Sequence, residues 1–233
     1  MALIDYTMDE DVAIVTMNSG ENRFNFTFFE AFNKVLDTIE NETDAGVLVV
    51  TSAHEKIFSN GIDLDWLLPA VQEGGPETGK KFTSGLNGLF SRILTYPMIT
   101  IAAINGHAFA GGAIMTCAFD FRFMRTQRGY FCFPEVDIKI PFTPFLIALT
   151  KKAIPMYEDI ELQLTGKRLT AEECEEHHII KKACHIDDLM NEVLSFAKGL
   201  KKDREVLKTM KQRLYADILK TLEEQKEQTL AMG

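Results

Sequence analysis

The sequence predicts an α/β layered fold, on three observations. Val47–Thr51 and Met98–Ile104 are short continuous apolar runs, the pattern of strands covered on both faces. Phe28, Phe29, Phe32, Val35, Leu36 and Ile39 recur at helical spacing between the first strands. From Pro144 onward the chain reads as largely helical. Strands alternating with helices, then a helical tail, pack as helices against a mostly parallel sheet.

Each element has its own warrant. Val12–Met17 is a β-branched strand closed by a Ser19-Gly20-Glu21-Asn22 turn. Phe26 to Glu40 is a helix with Thr27 as its expected cap. Phe58 to Leu64 is a turn around Asn60-Gly61 that leads into a helix starting near Asp63. Gln72 to Gly79 is polar and carries Gly and Pro, so it is expected to be a mobile loop, and Lys81 to Thr95 a helix. The strand from Met98 ends at Asn105-Gly106, and Gly111-Gly112 open the apolar helix Ala113 to Phe119. Arg122–Arg125 and Gly129–Phe133 read as short strands or an extended connection, and Pro134 to Pro141 as a loop with helical turns. Thr170-Ala-Glu-Glu is a capping box. The tail from Val206 to Met232 is amphipathic and should pack on the body or on a neighbouring subunit. The division expected is a core over 1–195 and a C-terminal helical region over 196–233.

Composition narrows the function. The chain has 233 residues, 46% hydrophobic and 25% charged, enough for one full core. A net charge of −9 opposes non-specific nucleic-acid binding, so no nucleic-acid partner is expected. Cys117, Cys132, Cys174 and Cys184 lack metal or redox spacing and read as buried free thiols, which fits a reducing cytoplasm. No apolar stretch approaches the ~20 residues of a membrane span, and the acidic N-terminus is not a signal peptide. His177 and His178 are adjacent but have no further ligands nearby, so neither a metal nor another cofactor is expected.

Glycines at a helix start let a ligand approach the backbone, and the free N–H groups there favour negative charge. The Gly111-Gly112 element is therefore a place to stabilise an anion. Ile114, on the first turn beyond, supplies no acid.

Three segments in order, Phe58-Ser-Asn-Gly-Ile-Asp-Leu64, Ile104-Asn-Gly-His-Ala-Phe-Ala-Gly-Gly112 and Phe133-Pro-Glu-Val-Asp-Ile138, together resemble the crotonase superfamily, the enoyl-CoA hydratase/isomerase group. Leu164-Thr-Gly-Lys-Arg-Leu-Thr-Ala171 is similar to the turn that follows the site in that family. The resemblance spans roughly Val12 to Leu200. It implies a crotonase fold of repeated ββα units in two sheets, C-terminal helices used for oligomerisation, and a homotrimer or hexamer. It also implies an acyl-CoA substrate whose enolate is held by two backbone N–H groups, which map onto Ile62 and Gly111. Fixed amide donors of this kind each contribute ~2.7–4 kcal/mol to barrier lowering. Ser59, Asn60, Gly61, Asp63 and Leu64 map onto the substrate path, with Ile114 at the acyl site.

Hydratases of the family carry two glutamates to handle water; the corresponding positions here are Ile114 and Glu135. One carboxylate suits a proton shuttle from C2 to C4 of a 3-enoyl-CoA and lacks the partner needed to activate water. This arrangement resembles the enoyl-CoA isomerases, particularly the short plant peroxisomal type. Phe131, Phe133, Val136 and Ile138 around Glu135 should raise its pKa. Other one-acid chemistry (thioester hydrolysis, decarboxylation, weak hydration) and non-catalytic acyl-CoA binding stay open.

Several further residues carry expectations. His107 should be structural, Asp63 and Asp65 local caps or partners, and Asp137 a structural partner to the Glu135 segment. Arg23, Lys56, Lys80 and Lys81 are candidates for the CoA phosphates. Trp66, Leu67 and Leu68 either wall the acyl pocket or pack in the core, and Phe142 and Phe145 are expected to narrow it. The terminal Ala231-Met232-Gly233 lacks a peroxisomal tripeptide, which favours a cytoplasmic location.

Overall fold

A computed structural model describes residues 2–231, with side chains through 228. Met232 and Gly233, on which the reading of the terminal tripeptide falls, lie outside the described residues.

The chain opens with an antiparallel pair, β1 (Ile4–Asp9) and β2 (Val12–Met17), followed by α1 (Phe26–Glu42). Sequence reading missed β1, because only Ile4 on it is buried and its acids hide the strand pattern. The N-cap of α1 is Asn25, two residues before the expected Thr27, and its side chain accepts the Phe28 N–H. Three successive turns of the chain then repeat one plan. β3 (Val47–Ser52) leads to β4 (Ile57–Ser59) and on to α2 (Leu64–Gly74) and α3 (Pro76–Leu94). β5 (Ile99–Ile104) leads to β6 (His107–Phe109) and α4 (Gly111–Ala118). β7 (Phe121–Arg125) leads to β8 (Phe131–Cys132) and a 3-10 turn over Pro134–Val136. After them come α5 (Pro144–Ala153), α6 (Met156–Thr165), β9 (Arg168–Leu169), α7 (Ala171–Glu176), β10 (Lys182–Cys184), α8 (Ile186–Ala197), α9 (Arg204–Leu214) and α10 (Ala216–Ala231).

The strands form two sheets. Six run in the order β1-β2-β3-β5-β7-β10, parallel from β2 onward, and four in the order β4-β6-β8-β9, parallel from β4 to β8. Alternation along β3 and β5 shows why those runs are apolar throughout. Val47, Val49, Ile101 and Ala103 pack under Leu189, Val193 and Ala197 of α8, while Leu48, Val50, Ala102 and Ile104 join the main core.

The segment read as a loop over Gln72–Gly79 is mostly helix. α2 runs to Gly74 and α3 begins at Pro76, so only Gly75, at φ +71°, breaks the chain. Proline at a first helical position starts a helix, and here it outweighed the local polarity. Thr170 and Glu173 make the expected capping box.

The C-terminal region packs on its own body. Leu222 is buried in the main core, and Arg204 donates to the carbonyls of Glu40, Thr43 and Ala45. The Lys211 ammonium reaches the Met98 carbonyl at 2.7 Å and Asp120 at 2.6 Å.

Candidate active site

The repeated plan sets the carboxyl ends of β4, β6 and β8 side by side. Each strand there releases one piece of a single site: Asn60-Gly61-Ile62 after β4, Ala110-Gly111 after β6, and Pro134-Glu135 after β8. Residues far apart in sequence meet because parallel strands begin and end together.

The first two pieces touch through glycine. A Cβ on Gly61, which sits at φ +74°, would lie 2.6 Å from the Gly111 nitrogen, and one on Gly112 would lie 2.3 Å from the Ser59 carbonyl oxygen. Phe24 fixes the Ile62 strand edge. Its N–H donates to the Gly61 carbonyl at 2.7 Å and its carbonyl accepts the Asp63 N–H at 3.0 Å. That parallel bridge leaves the Ile62 N–H outside the ladder. Gly111 is the first residue of α4, so its N–H is one of the four that have no acceptor within the helix. Ala110, just before it, is held at φ 50°, ψ −131°, a conformation that costs a side-chain-bearing residue roughly 1–3 kcal/mol. Its N–H donates to Cys132 and its carbonyl accepts from Ile114, both at 3.0 Å, so β8 and α4 clamp it from either side.

The third piece is Glu135. Pro134 starts the 3-10 turn, and the Pro134 carbonyl accepts from Asp137 and Ile138 at 2.9 and 3.1 Å. Glu135 is 9% exposed and its Oε2 is buried with no hydrogen-bond partner. Burial pushes its pKa up to about 7 by desolvation, as the apolar neighbours led one to expect.

These pieces face one cavity of about 200 Å³. Asn60, Ile62, Leu64, Gly111, Ile114 and Glu135 all line it, and Glu135 is the one ionisable side chain among the described residues that do. Ile114 is 2% exposed and apolar where a second acid would stand. The cavity can therefore hold an anion against two main-chain donors and move a proton with one carboxyl group.

Other expected residues fall behind this wall. The fully buried Ser59 Oγ donates to the Asn22 carbonyl at 2.7 Å and accepts the Gly61 N–H at 3.1 Å, so it shapes the loop and does not line the cavity. Gly61 contributes its close approach to Gly111. Asp63 makes the local cap expected of it: its carboxylate accepts the Trp66 N–H at the start of α2 at 3.3 Å, and the residue is not among those lining the cavity. Asp65 pairs with Arg23 at 2.7 Å, and Asp137 sits against Gly166, away from the cavity. Trp66 packs on Phe26 and Phe82. Phe142 lines the cavity, whereas Phe145 is buried in the core. His107 accepts the Tyr130 N–H on Nδ1 at 3.2 Å, a structural contact. Arg23 is held by Glu21 and Asp65, Lys56 by Glu55 and Lys80 by Glu77, while Lys81 lies over the Phe26 ring. All four cysteines are free and buried.

Sequence reading missed two sets of site residues. Leu86 and Phe90 line the cavity from α3, and their i, i+4 spacing was a usable signal. Asn22 holds the β4 end from a distant turn, its amide donating to Ser52 Oγ at 2.7 Å and the Phe58 carbonyl at 2.8 Å. Nothing local to Asn22 announces that role.

Stacked ββα turns that bring a glycine contact, one buried carboxyl group and an apolar cavity together define an enzyme of the crotonase class. The chain belongs to the enoyl-CoA hydratase/isomerase family, whose model matches residues 7–232. It is 31% identical over 219 residues to the peroxisomal enoyl-CoA delta isomerase 2 of Arabidopsis thaliana, covering 91% of this chain and 88% of that one. It is 29% identical over 220 residues to enoyl-CoA delta isomerase 3 of the same plant, covering 91% and 92%. A solved enoyl-CoA hydratase/isomerase family protein from Pseudomonas syringae superposes with a TM-score of 0.86 at 25% identity, over 97% of this chain and 96% of that one.

Proposed function

We propose that this chain is an enoyl-CoA isomerase that moves the double bond of a 3-enoyl-CoA to give the 2-trans-enoyl-CoA. The observation that carries the reading is Glu135 as the single ionisable side chain, among the described residues, of an apolar cavity that Ile62 and Gly111 also line. Similarity to two plant enoyl-CoA delta isomerases over nine-tenths of the chain supports it.

The Glu135 carboxylate takes a proton from C2. The C–H electron pair moves into the thioester, and the enolate oxygen is held by the N–H groups of Ile62 and Gly111. Conjugation with the 3,4 double bond spreads the charge to C4. Glu135, now a carboxylic acid, returns its proton there, the double bond re-forms between C2 and C3, and the carbonyl is restored. No water, metal or redox group enters the balance. A pKa near 7 matches both halves of the task, since one group serves as base and then as acid. Ile114 withholds the second acid needed to deliver water.

In this reading Asn60 and Leu64 border the thioester, and Ser59, Gly61 and Asp63 hold the donor loop behind it. The CoA phosphates are met by surface cations among Arg23, Lys56, Lys80 and Lys81. Self-association as a homotrimer or hexamer is supported by exposed Met156, Tyr157, Ile160 and Leu164 on α6, beside Val136 and Ile138. The cytoplasm is the compartment proposed, on the free cysteines.

The test is to incubate the protein separately with 3-hexenoyl-CoA and 2-hexenoyl-CoA and separate the products. Isomerisation without a 3-hydroxyacyl product is expected. Free CoA would point to hydrolysis, hydration to a hydratase, and binding without turnover to a non-catalytic member; each of these overturns the proposal.

A further inference from the structure

The wall of the site cavity is not equally backed all round. Leu86 and Phe90 line it from α3 and belong to the main core, with packed side chains behind them. Glu135, Ile140, Pro141 and Phe142 are different. Each also lines a second cavity, of about 430 Å³, which continues to Ile147 and Leu164. Residues that line two cavities form a partition with space on both faces.

The partition is a short strap of chain. Lys139 turns it at φ 61°, a conformation uncommon for a residue with a side chain, and Pro141 restricts it further. The Ile140 N–H donates to the Glu135 carbonyl at 3.0 Å, which ties the strap to the turn that carries the carboxyl group. The Phe142 ring lies edge-on to the buried Phe133, with centroids 5.4 Å apart. On the near side of this strap the site cavity, at about 200 Å³, is smaller than the ~300 Å³ at which typical ligand pockets begin. It suits the thioester end and the first carbons of a chain.

We infer that Phe142, with Ile140 beside it, is the wall that ends the acyl chain and so sets the chain length this protein accepts. A chain that outgrows the site cavity meets the partition, and forcing extra methylenes against packed side chains is unfavourable. Shortening Phe142 removes the ring that separates the two spaces. The chain end then continues into the second cavity, where Ile147 and Leu164 offer apolar surface and each further buried methylene adds to binding. This inference rests on the isomerase reading for the position of the thioester end.

The experiment compares 3-hexenoyl-CoA with 3-dodecenoyl-CoA in turnover, and hexanoyl-CoA with dodecanoyl-CoA, both saturated and unreactive, in calorimetric binding. In the wild-type protein kcat/KM for the long chain is expected to be at least ~10-fold lower, corresponding to ~1.4 kcal/mol. Phe142→Ala should raise the long-to-short ratio ~10-fold in both kcat/KM and affinity. A merely structural role would lower turnover of both chains alike and leave the ratio where it was. Ile140→Ala, at a position 37% exposed, tests the same wall should the first variant not fold. Ile147 lines the second cavity and not the first. Ile147→Trp should therefore leave the wild-type ratio unchanged, and cancel the gain when combined with Phe142→Ala. Equal kcat/KM for the two chains in the wild-type protein overturns the inference. So does a ratio unmoved in folded Phe142→Ala, or in folded Ile140→Ala where Phe142→Ala does not fold, and so does a folded double variant that keeps the gain. A shifted binding ratio without isomerisation of any 3-enoyl-CoA keeps the wall and overturns the isomerase reading. Isomerisation with an unmoved ratio does the reverse.

Discussion

Gly61 and Gly111 meet backbone to backbone, so closely that a Cβ on the first would lie 2.6 Å from the nitrogen of the second. That contact joins the ends of β4 and β6 and fixes the separation of the two N–H groups at Ile62 and Gly111. Gly61→Ala must push the loops apart as well as adopt φ +74°. A loss of at least ~3 kcal/mol in urea unfolding and of most activity is expected. Gly20→Ala is the control. It sits at φ +55° with nothing within 4 Å of its Cβ position, so only ~1–2 kcal/mol should be lost. Equal costs at the two positions would show that backbone conformation, and not the close approach, is what Gly61 supplies.

Glu135 should make both activity and stability depend on pH, in opposite senses. Catalysis begins with the carboxylate, so kcat/KM should rise with pH through a midpoint near 7. Stability runs the other way. The folded pKa is raised from 4.5 to about 7, so the folded state favours the protonated form, and that advantage is lost as pH climbs between these values. Glu135→Gln should therefore gain up to roughly 3 kcal/mol relative to wild type at pH 8 compared with pH 4. Urea melts at the two pH values measure it; a pH-independent difference would mean that the carboxyl group is not desolvated.

Ile114→Glu places a second carboxyl group in the cavity, beside Glu135. At a position 2% exposed it should cost about 3 kcal/mol or more. It should also produce traces of 3-hydroxyhexanoyl-CoA from 2-hexenoyl-CoA, detectable by mass spectrometry. A folded variant that isomerises normally and hydrates nothing would remove Ile114 from the account of reaction choice.

Lys152 stabilises the far end of the helix that Gly111 begins. Its ammonium, buried beside the Tyr215 ring, donates to the carbonyls of Cys117 at 3.0 Å and Phe119 at 2.6 Å. Lys152→Met should cost ~2–4 kcal/mol by leaving those carbonyls unpaired, read as a lower urea midpoint. A change under ~0.5 kcal/mol would show that the contacts contribute little.

The central strands and the three site segments were legible because each is decided locally. β3 and β5 announce themselves by continuous apolar runs, and Gly111-Gly112 and Pro134-Glu135 by residues with narrow uses. β1 was not, since one buried side chain leaves little pattern. The α2–α3 junction was misread because polar residues hide a helix that Pro76 starts. Asn22 and Phe24 were invisible for a different reason: their roles exist only once distant segments pack. The same holds for Ser59, whose side chain the fold turns to loop contacts, whereas the Asp63 cap was legible as an acid just before a helix start.

The central claim is that one carboxyl group both takes and returns the proton. Turnover of 3-hexenoyl-CoA by Glu135→Gln, with its binding measured alongside, tests this most directly. A rate at least ~100-fold below wild type, with thioester affinity retained, is expected. Near-normal conversion to 2-trans-hexenoyl-CoA by the folded variant would contradict it.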